Sequence, residues 1–229
     1  MSEEKALEKI GNITLDLTHY QGKDIYSDGD IEDEILGIVK ELSPVEYPRV
    51  IEERASWPIL YHLSALRENI VDWLPIQKTD KVLEVGSGCG AITGALARKA
   101  ASVTCVDLSK KRSTINAYKN ADCDNVTIHV GNFKDIEPDL DTDFDYVCLI
   151  GVFEYGQGYM GSDKPYHDFL NILKKHVKKD GRLVIAIENK FGLKYFAGCK
   201  EDHVAGYFSG IENYAEDGGV RTFTRNGLE

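Results

Sequence analysis

The stretch KVLEVGSGCGAITGAL, Lys81 to Leu96, places three glycines at alternate positions between an apolar run and a helical one. The apolar residues from Lys81 to Val85 have the composition of a short buried strand, and those from Ala91 to Lys99 are typical of a helix. Glycines at such a junction allow the backbone to approach a bound molecule closely. The stretch therefore predicts a strand, a ligand-binding turn and a helix.

The alternation of strand and helix continues on the carboxyl side of this stretch. Strands separated by helices favour right-handed crossovers and a parallel sheet that is covered on both faces. We therefore predict an α/β fold with a doubly wound, mainly parallel sheet in the order 3-2-1-4-5 and ligands at the carboxyl ends of its strands. After the first strand, the pattern predicts strands at 102–106, 125–130, 144–150 and 182–188, with helices at 109–120 and 165–178.

The amino-terminal part has a different pattern. Residues 1 to about 30 are polar and aperiodic, and we predict a loosely structured arm there. Apolar residues at helical spacing predict a helix from Ile31 to Leu42 and a second from Ser56 to Leu74, with Ser56 as its cap and Pro58 in its first turn. We divide the chain into an arm with helices at 1–77, a ligand-binding core at 78–190, and a third segment at 191–229.

The third segment lacks a clean period. From Asn189 to Glu229 the chain has seven glycines and many aromatic residues, which predicts a lid or a truncated C-terminal part of the same domain. Its last residues, TFTRNGLE, resemble the start of a helix with Thr224 or Asn226 as its cap. We expect the chain to be part of a longer one.

Composition limits the classes of function. The formal net charge of −11 argues against a broad basic face for nucleic acid. Five cysteines without a C-x-x-C pair, and no apolar run long enough to cross a membrane, predict a cytoplasmic protein. Asp139 to Asp143, DLDTD, lacks the glycine and the closing glutamate of a calcium loop, and we assign no metal ligands.

Two classes of cofactor compete for the glycine turn. Gly86, Gly88 and Ala91 satisfy the dinucleotide pattern G-x-G-x-x-A, which allows NAD. Glu84 opposes this assignment, because a fixed negative charge suits an ammonium group better than a pyrophosphate. Asp107 ends the second strand, where a carboxylate can accept both hydroxyls of a ribose. Together these acids favour a cofactor with an amino-acid end and a nucleoside end.

The ordered motifs LEVGSGCG, VTCVDLS, GNFKDI, FDYVCLIGVFEY and GRLVIAIEN resemble those of class I S-adenosylmethionine-dependent methyltransferases. The resemblance covers about residues 78–190. It implies a Rossmann-like transferase with S-adenosylmethionine as its cofactor. It also implies that the methionine part is held by Glu84, Gly86, Ser87, Gly88 and Gly90, although these glycines also have a simpler interpretation as a plain chain turn.

The resemblance also implies contacts to the nucleoside part. Asp107 takes the ribose, Leu108 packs on the adenine, and Asn132 and Phe133 lie where the family places a contact to the adenine amide. Alternatives stay open at two of these positions. Asp107 has the position of a helix cap before Ser109, and Phe133 is also consistent with a core residue.

After the fourth strand, the resemblance places Gly151 and Val152 beneath the sulfonium, with Glu154 and Tyr155 facing the acceptor. This motif reads GVFEYGQGY and lacks the Asn/Asp-Pro-Pro-aromatic signature of amino-group methylation on nucleic acid or glutamine. The antiparallel strand pair that usually closes the family's sheet is not evident in the sequence. We expect it to be missing or displaced.

A hydroxyl acceptor needs a group that removes its proton. The candidates near the ends of strands four and five are His167, Tyr155, Glu188 and His203, and we select His203 and Tyr155 as the catalytic pair. Asp202 or Glu201 beside His203 would raise its basicity, whereas a solvated loop histidine is the alternative. His62 and His176 are predicted to lie at the surface.

The segment IENKFGLKYFAGCKEDHVAGYFSGIENY resembles a tail of methyltransferase domains associated with bacterial glycan assembly. This resemblance implies a sugar or glycan hydroxyl as acceptor, with a small molecule as the broader possibility. Two other functions stay open at this point. They are a non-catalytic methyltransferase-like binding module and an NAD-dependent oxidoreductase.

Overall fold

The computed structural model describes residues 6–24, 26–214 and 219–228 of the 229-residue chain. The chain forms two compact units. Unit 1 comprises Met1–Cys148 and His176–Arg182, and unit 2 comprises Leu149–Lys175 and Leu183–Glu229. Within the described ranges, no helix is both long enough and apolar enough to span a bilayer.

Seven strands form one sheet in the order β1-β2-β5-β4-β3-β6-β7. β3 pairs in parallel with β4, and β4 pairs in parallel with β5. The α/β class and the predicted order of the five core strands are therefore confirmed. The strands are β1 (Leu7–Ile10), β2 (Ile13–Asp16), β3 (Lys81–Val85), β4 (Ser102–Asp107), β5 (Val126–Val130), β6 (Phe144–Ile150) and β7 (Val177–Ala186).

The prediction of a loosely structured amino-terminal arm is wrong. β1 and β2 form an antiparallel hairpin, and β2 adds to the sheet in parallel with β5 through the pairs Thr14↔Thr127 and Leu15↔Ile128. Ile13 and Leu15 are fully buried. Each strand has four residues, which is too short to produce a recognisable sequence period. Their pairing with each other and the pairing of β2 with β5 define them.

The helices lie between and around these strands. The first predicted helix is confirmed, and Ser109 caps the helix after β4 by accepting the backbone N–H of Arg112 at 3.2 Å. The helices are α1 (Asp30–Glu41), α2 (Tyr47–Arg54), α3 (Trp57–Leu63), α4 (Asn69–Asp72), α5 (Thr93–Lys99), α6 (Lys110–Lys119), α7 (Phe133–Ile136), α8 (Gly156–Met160), α9 (Pro165–His176), α10 (Leu193–Phe196) and α11 (Arg225–Leu228).

The second predicted helix is interrupted. It begins at Trp57 but ends at Leu63, because Ser64 is extended and its hydroxyl accepts the backbone N–H of Leu66 at 3.3 Å. This side-chain contact starts a 3-10 turn at Ala65–Glu68 instead of another α-helical turn. Ser56 holds the N-cap position of α3, but its side chain forms no capping hydrogen bond.

Two histidines predicted at the surface are buried in unit 1. His62 is 6% exposed, and its burial together with nearby Arg112 lowers its pKa to about 4. His176 is 1% exposed and contacts the carbonyl oxygen of Asp141 through Nδ1 at 2.7 Å and the Glu137 carboxylate through Nε2 at 3.2 Å. Both positions depend on tertiary packing that a helical period does not reveal.

Unit 2 is organised around packed aromatic rings. Phe153 stacks on Phe169 with ring centroids 5.9 Å apart, and Phe223 lies 5.6 Å from Phe153 and 5.0 Å from Tyr166. After β7, the pairing seen in the described ranges is a single parallel bridge between Asn189 and Phe223. The closing antiparallel strand pair is not seen in the described part of the chain, and its absence or displacement stays a prediction. Thr224 accepts the backbone N–H of Gly227 at 3.1 Å, as the cap of α11.

Candidate functional site

The glycine turn between β3 and α5 is held against the next strand by its backbone. Gly86, Gly88 and Gly90 have φ angles of 73°, 51° and 71°, which L side chains rarely adopt. The backbone N–H groups of Gly86 and Ser87 both donate to the carbonyl oxygen of Val106, at 2.8 and 3.2 Å. The glycines thus allow a tight turn at the carboxyl ends of β3 and β4.

One side of this turn is packed and the other is open. A Cβ at Gly90 would lie 2.2 Å from Asn116 Oδ1, whereas no described atom lies within 4 Å of a Cβ placed at Gly88. The Ser87 hydroxyl is buried and has no hydrogen-bond partner among the described residues. Because buried polar atoms are rarely left unpaired, the open side fits a polar ligand.

Glu84 lies beneath the turn and is almost completely buried. One of its carboxylate oxygens, Oε2, accepts hydrogen bonds from Thr93 Oγ1 at 2.7 Å and Cys105 Sγ at 3.4 Å. Burial raises the pKa of Glu84 to about 7, although these two hydrogen bonds oppose the shift. A ligand ammonium would favour the charged form, so the predicted role of Glu84 is consistent with its surroundings and stays a prediction.

Asp107 connects the turn to α6. Its Oδ2 accepts the backbone N–H of Gly88 at 2.7 Å, and its Oδ1 accepts that of Ser109 at 2.9 Å. Burial raises the pKa of Asp107 despite these bonds. The carboxylate thus stabilises the turn before α6, and each oxygen has a second acceptor position left for a ribose hydroxyl.

The other predicted nucleoside contacts lie in the same unit. Asn132 caps α7 by accepting the backbone N–H of Lys134 at 3.0 Å. Phe133 and Leu108 are half-buried, and the Phe133 ring lies 6.3 Å from the ring of His176. These contacts leave the core interpretation of Phe133 and the proposed adenine contacts open.

Sequence reasoning missed the amino-terminal segment that reaches this edge of the sheet. The Asp24 carboxylate accepts hydrogen bonds from Ser109 Oγ at 2.9 Å and from the backbone N–H groups of Lys110 and Lys111 at 2.7 and 3.1 Å. Burial opposes ionisation of Asp24, but these hydrogen bonds lower its pKa. No motif or period marks Asp24, because its role depends on a contact with residues far along the chain.

Gly151 and Val152 follow β6 and lie in unit 2. Gly151 has a φ angle of 69°, and its backbone N–H donates to the carbonyl oxygen of Ala186 at 2.8 Å. Val152 is buried. Their assignment beneath a sulfonium stays a prediction.

His203 and Tyr155, the predicted catalytic pair, are in contact. Tyr155 Oη lies 3.2 Å from His203 Nδ1, and the two rings meet edge to face. The other ring nitrogen, Nε2, lies 3.4 Å from Glu188 Oε2 and 4.0 Å from Glu201 Oε1. The alternative of a solvated loop histidine does not fit this environment, because the His203 side chain is only 9% exposed.

The charges around His203 differ in part from the prediction. Burial lowers its pKa, but Glu188, Glu201 and Glu154 outweigh this effect and raise the pKa above its usual value. Of the two acids predicted to raise the basicity of His203, Glu201 does so, whereas the Asp202 carboxylate accepts a hydrogen bond from Tyr195 Oη at 2.6 Å and pairs with Lys194. Glu188 is thus the nearest carboxylate.

A hydrogen-bonded loop fixes the position of His203. Glu201 accepts the backbone N–H groups of His203 and Val204, both at 2.8 Å, through one carboxylate oxygen. Its other oxygen accepts the Tyr214 hydroxyl at 2.8 Å. His167, by contrast, is exposed, and its ring contacts Asn171 instead of this loop.

Glu154 is the most deeply buried acid of unit 2, at 2% exposure. Its carbonyl oxygen accepts the backbone N–H of Arg221 at 2.9 Å and the Tyr166 hydroxyl at 3.0 Å. Burial, together with the neighbouring Glu188, raises its pKa to about 7. The backbone of Glu154 is therefore fixed by its neighbours.

Comparison of sequences identifies one matching family. Residues 83–183 match a family model described as a methyltransferase domain, Methyltransf_12. This segment is somewhat less than half of the chain and contains the glycine turn, Asp107 and Asn132. No curated protein sequence matches the chain significantly.

Two solved structures with a similar fold are described as containing putative methyltransferases. A chain of the complex between the Haloferax volcanii Trm112 methyltransferase activator and the putative methyltransferase has a TM-score of 0.51 at 19% identity, over 81% of this chain and 71% of the other. A putative methyltransferase from Bacillus halodurans has a TM-score of 0.50 at 18% identity, over 72% and 64%. These likenesses establish the fold.

A third structure is much longer than this chain. Phosphoethanolamine N-methyltransferase 1 from Haemonchus contortus, in complex with phosphoethanolamine and S-adenosylhomocysteine, has a TM-score of 0.46 at 19% identity. The alignment covers 65% of this chain and 33% of that protein. The match of residues 83–183 to a methyltransferase domain is the finding that bears on the class of activity.

Proposed function

We propose that this protein is an S-adenosylmethionine-dependent methyltransferase that acts on a hydroxyl group of a small molecule, sugar or glycan. The observation that carries the proposal is the turn of Gly86, Gly88 and Gly90, joined to Asp107 within the segment that matches a methyltransferase domain. A cytoplasmic setting is part of the same proposal.

The residues of the turn fit the cofactor. Glu84 would pair with its ammonium group, the unpartnered Ser87 hydroxyl and the open side of Gly88 would accommodate its methionine part, and Asp107 would accept its ribose hydroxyls. Leu108, Asn132 and Phe133 are proposed for the adenine, and Gly90 allows the turn to pack against α6. Gly151 and Val152 remain proposed contacts from unit 2.

When bound, S-adenosylmethionine supplies a methyl group on an already activated sulfonium leaving group. The protein then needs to orient the acceptor for in-line attack at about 3 to 3.5 Å and to exclude water. A hydroxyl acceptor also has to lose its proton. In this proposal His203 receives that proton, Tyr155 holds the ring by its contact at Nδ1, and Glu188 stabilises the imidazolium.

Exposed aromatic side chains in unit 2 support a sugar-containing acceptor. Phe191, Phe196 and Tyr207 are each at least half exposed. Such rings can stack on the apolar faces of sugars while hydroxyl groups around the ring remain solvated. Within the same proposal, we therefore name a sugar or a sugar-linked molecule as the acceptor.

Two measurements on the full chain test the function. Isothermal titration with S-adenosylmethionine, S-adenosylhomocysteine and NAD should show binding of the first two and no response to NAD; the reverse pattern would identify a dinucleotide enzyme. Transfer of a radiolabelled methyl group to a panel of sugar nucleotides and glycans should then yield a labelled product. Cofactor binding without transfer to any member of a broad acceptor panel would favour a non-catalytic binding module.

A further inference from the structure

Three side chains in unit 2 direct their donor atoms to one point. One carboxylate oxygen of Glu154, one of Glu188 and one ring nitrogen of His203 all lie within 4.8 Å of one another. The three residues come from separate segments, namely the turn after β6, the residues after β7 and the loop fixed by Glu201. The tertiary structure alone brings them together.

The converging atoms lack hydrogen-bond partners. Glu154 Oε2, Glu188 Oε2 and His203 Nε2 are each buried from solvent and form no hydrogen bond of good geometry with a described residue, although His203 Nε2 and Glu188 Oε2 lie 3.4 Å apart. Nor do the ion pairs of the described residues include one from Lys or Arg to Glu154 or Glu188. Buried charges are costly unless they are paired or bind a metal ion. A protonated His203, 3.4 Å from Glu188 Oε2, would still leave two carboxylates facing one positive charge.

The second ring nitrogen of His203 is already engaged. An N–H at Nδ1 can donate to Tyr155 Oη, 3.2 Å away, which leaves the lone pair of Nε2 available, 3.4 Å from Glu188 Oε2. Histidines that bind metals commonly use their other nitrogen in this way, which fixes both tautomer and ring orientation. Tyr155 and the Glu201 loop therefore hold His203 in a ligand-like orientation.

We propose that Glu154, Glu188 and His203 bind one divalent transition-metal ion. Two carboxylate oxygens with one imidazole nitrogen suit Mn²⁺ or Zn²⁺ better than a purely oxygen-ligated ion. Ligand atoms about 2.1 Å from a shared ion lie about 3 to 4 Å apart, so small side-chain rotations are enough to close the observed cluster around an ion. Three protein ligands leave coordination positions open.

An open position would bind a water molecule or an acceptor oxygen. Binding of the ion does not depend on the proposed function, but its use in orienting an acceptor hydroxyl rests on that function. The ion also changes the role of His203, because Nε2 cannot bind a metal and receive a proton at the same time. With the ion bound, the metal would lower the pKa of the acceptor hydroxyl, and its proton would pass to water instead of to His203.

Mn²⁺ is the probe for this site. The full chain is titrated with Mn²⁺, and binding is monitored by the loss of the electron paramagnetic resonance signal of the free ion. The titration should show one ion bound per chain. Pulsed measurements on the bound ion should show coupling to one imidazole nitrogen, which His203→Gln removes. Glu154→Gln and Glu188→Gln should each weaken Mn²⁺ binding at least tenfold, whereas Glu212→Gln, an exposed acid of the same unit, should not.

S-adenosylmethionine binding by the same variants, together with circular dichroism, serves as the folding control. Absence of Mn²⁺ binding by folded wild-type protein, or binding that survives all three ligand substitutions, would overturn the site. Cofactor binding without Mn²⁺ binding would then leave the proposed function intact. Mn²⁺ binding that depends on the three residues, in a protein that binds no cofactor, would support the site and reject the proposed function.

Discussion

The carboxylate of Asp107 at the end of β4 accepts a hydrogen bond of 2.7 Å from the backbone N–H of Gly88 in the turn after β3. The same carboxylate accepts the N–H of Ser109 through its other oxygen. Asp107 thus links the glycine turn to the start of α6 before any ligand binds. If the proposed ribose contact holds, Asp107 contributes to cofactor affinity both directly and through the shape of the turn.

Asp107→Ala should weaken S-adenosylmethionine binding by at least about 1 to 3 kcal/mol, because charge-assisted hydrogen bonds to the ribose and the support of the turn are lost together. Isothermal titration measures this effect. Asp124→Ala, at an exposed position before β5, is the matched control. Equal affinity of wild type and Asp107→Ala would count against the ribose role.

Gly90→Ala should destabilise the fold by about 2 to 4 kcal/mol, because the added Cβ would overlap Asn116 Oδ1 and the residue would keep a φ angle of 71°. Gly37→Ala is the control, since it lies within α1 with no atom within 4 Å of the new Cβ. It should stabilise the protein by about 0.5 to 1 kcal/mol. Urea unfolding of both variants gives the comparison, and a Gly90→Ala protein as stable as wild type would contradict the packing described.

Glu84→Gln should change stability and cofactor binding in opposite directions. The folded-state pKa of about 7 lies above the ordinary value of 4.5, so the folded state binds an extra proton and loses stability as the pH rises between these values. At pH 8 the neutral glutamine should therefore raise the free energy of unfolding by about 1 to 3 kcal/mol, with little gain at pH 4. Urea unfolding at both pH values measures the difference.

The same substitution removes the proposed partner of the ligand ammonium group. Glu84→Gln should therefore bind S-adenosylmethionine at least about tenfold more weakly, which corresponds to about 1.4 kcal/mol. A gain in stability at pH 8 without loss of affinity would show that Glu84 is only a buried acid. A stability difference independent of pH would contradict its raised pKa.

His62→Gln should make unfolding less sensitive to acid. The folded-state pKa of about 4 lies below the ordinary value of 6.5, so the wild type is fully stabilised above pH 6.5 and loses stability as the pH falls through this interval. The loss should reach about 2 to 3 kcal/mol at pH 4 and be absent from the variant. Urea unfolding at pH 7 and pH 4.5 tests this, with the exposed His167→Gln as control. A parallel decline in His62→Gln would show that other groups cause the acid sensitivity.

Local patterns predicted the elements around the glycine turn. Lys81–Val85 and Ser102–Asp107 are strands at the expected positions, and Ser109 caps α6. These features depend on periodicity, on glycine's access to positive φ and on side chains that bond to nearby backbone, all of which are encoded within a few residues. The single helix expected from Ser56 to Leu74 is not formed. Ser64 can continue the α-helix or start a 3-10 turn, and its hydroxyl favours the turn by accepting the backbone N–H of Leu66.

The sequence by itself determined the α/β class and the position of the glycine turn, since apolar periods and glycine positions specify these directly. Only the tertiary structure decided what surrounds the chemistry-bearing side chains. It placed Asp24 at the start of α6, buried His62 and His176, and gave His203 the partners Tyr155 and Glu188 in addition to the neighbouring Glu201. Such contacts join residues far apart in the chain, and their energies depend on burial and distance, which no local pattern contains.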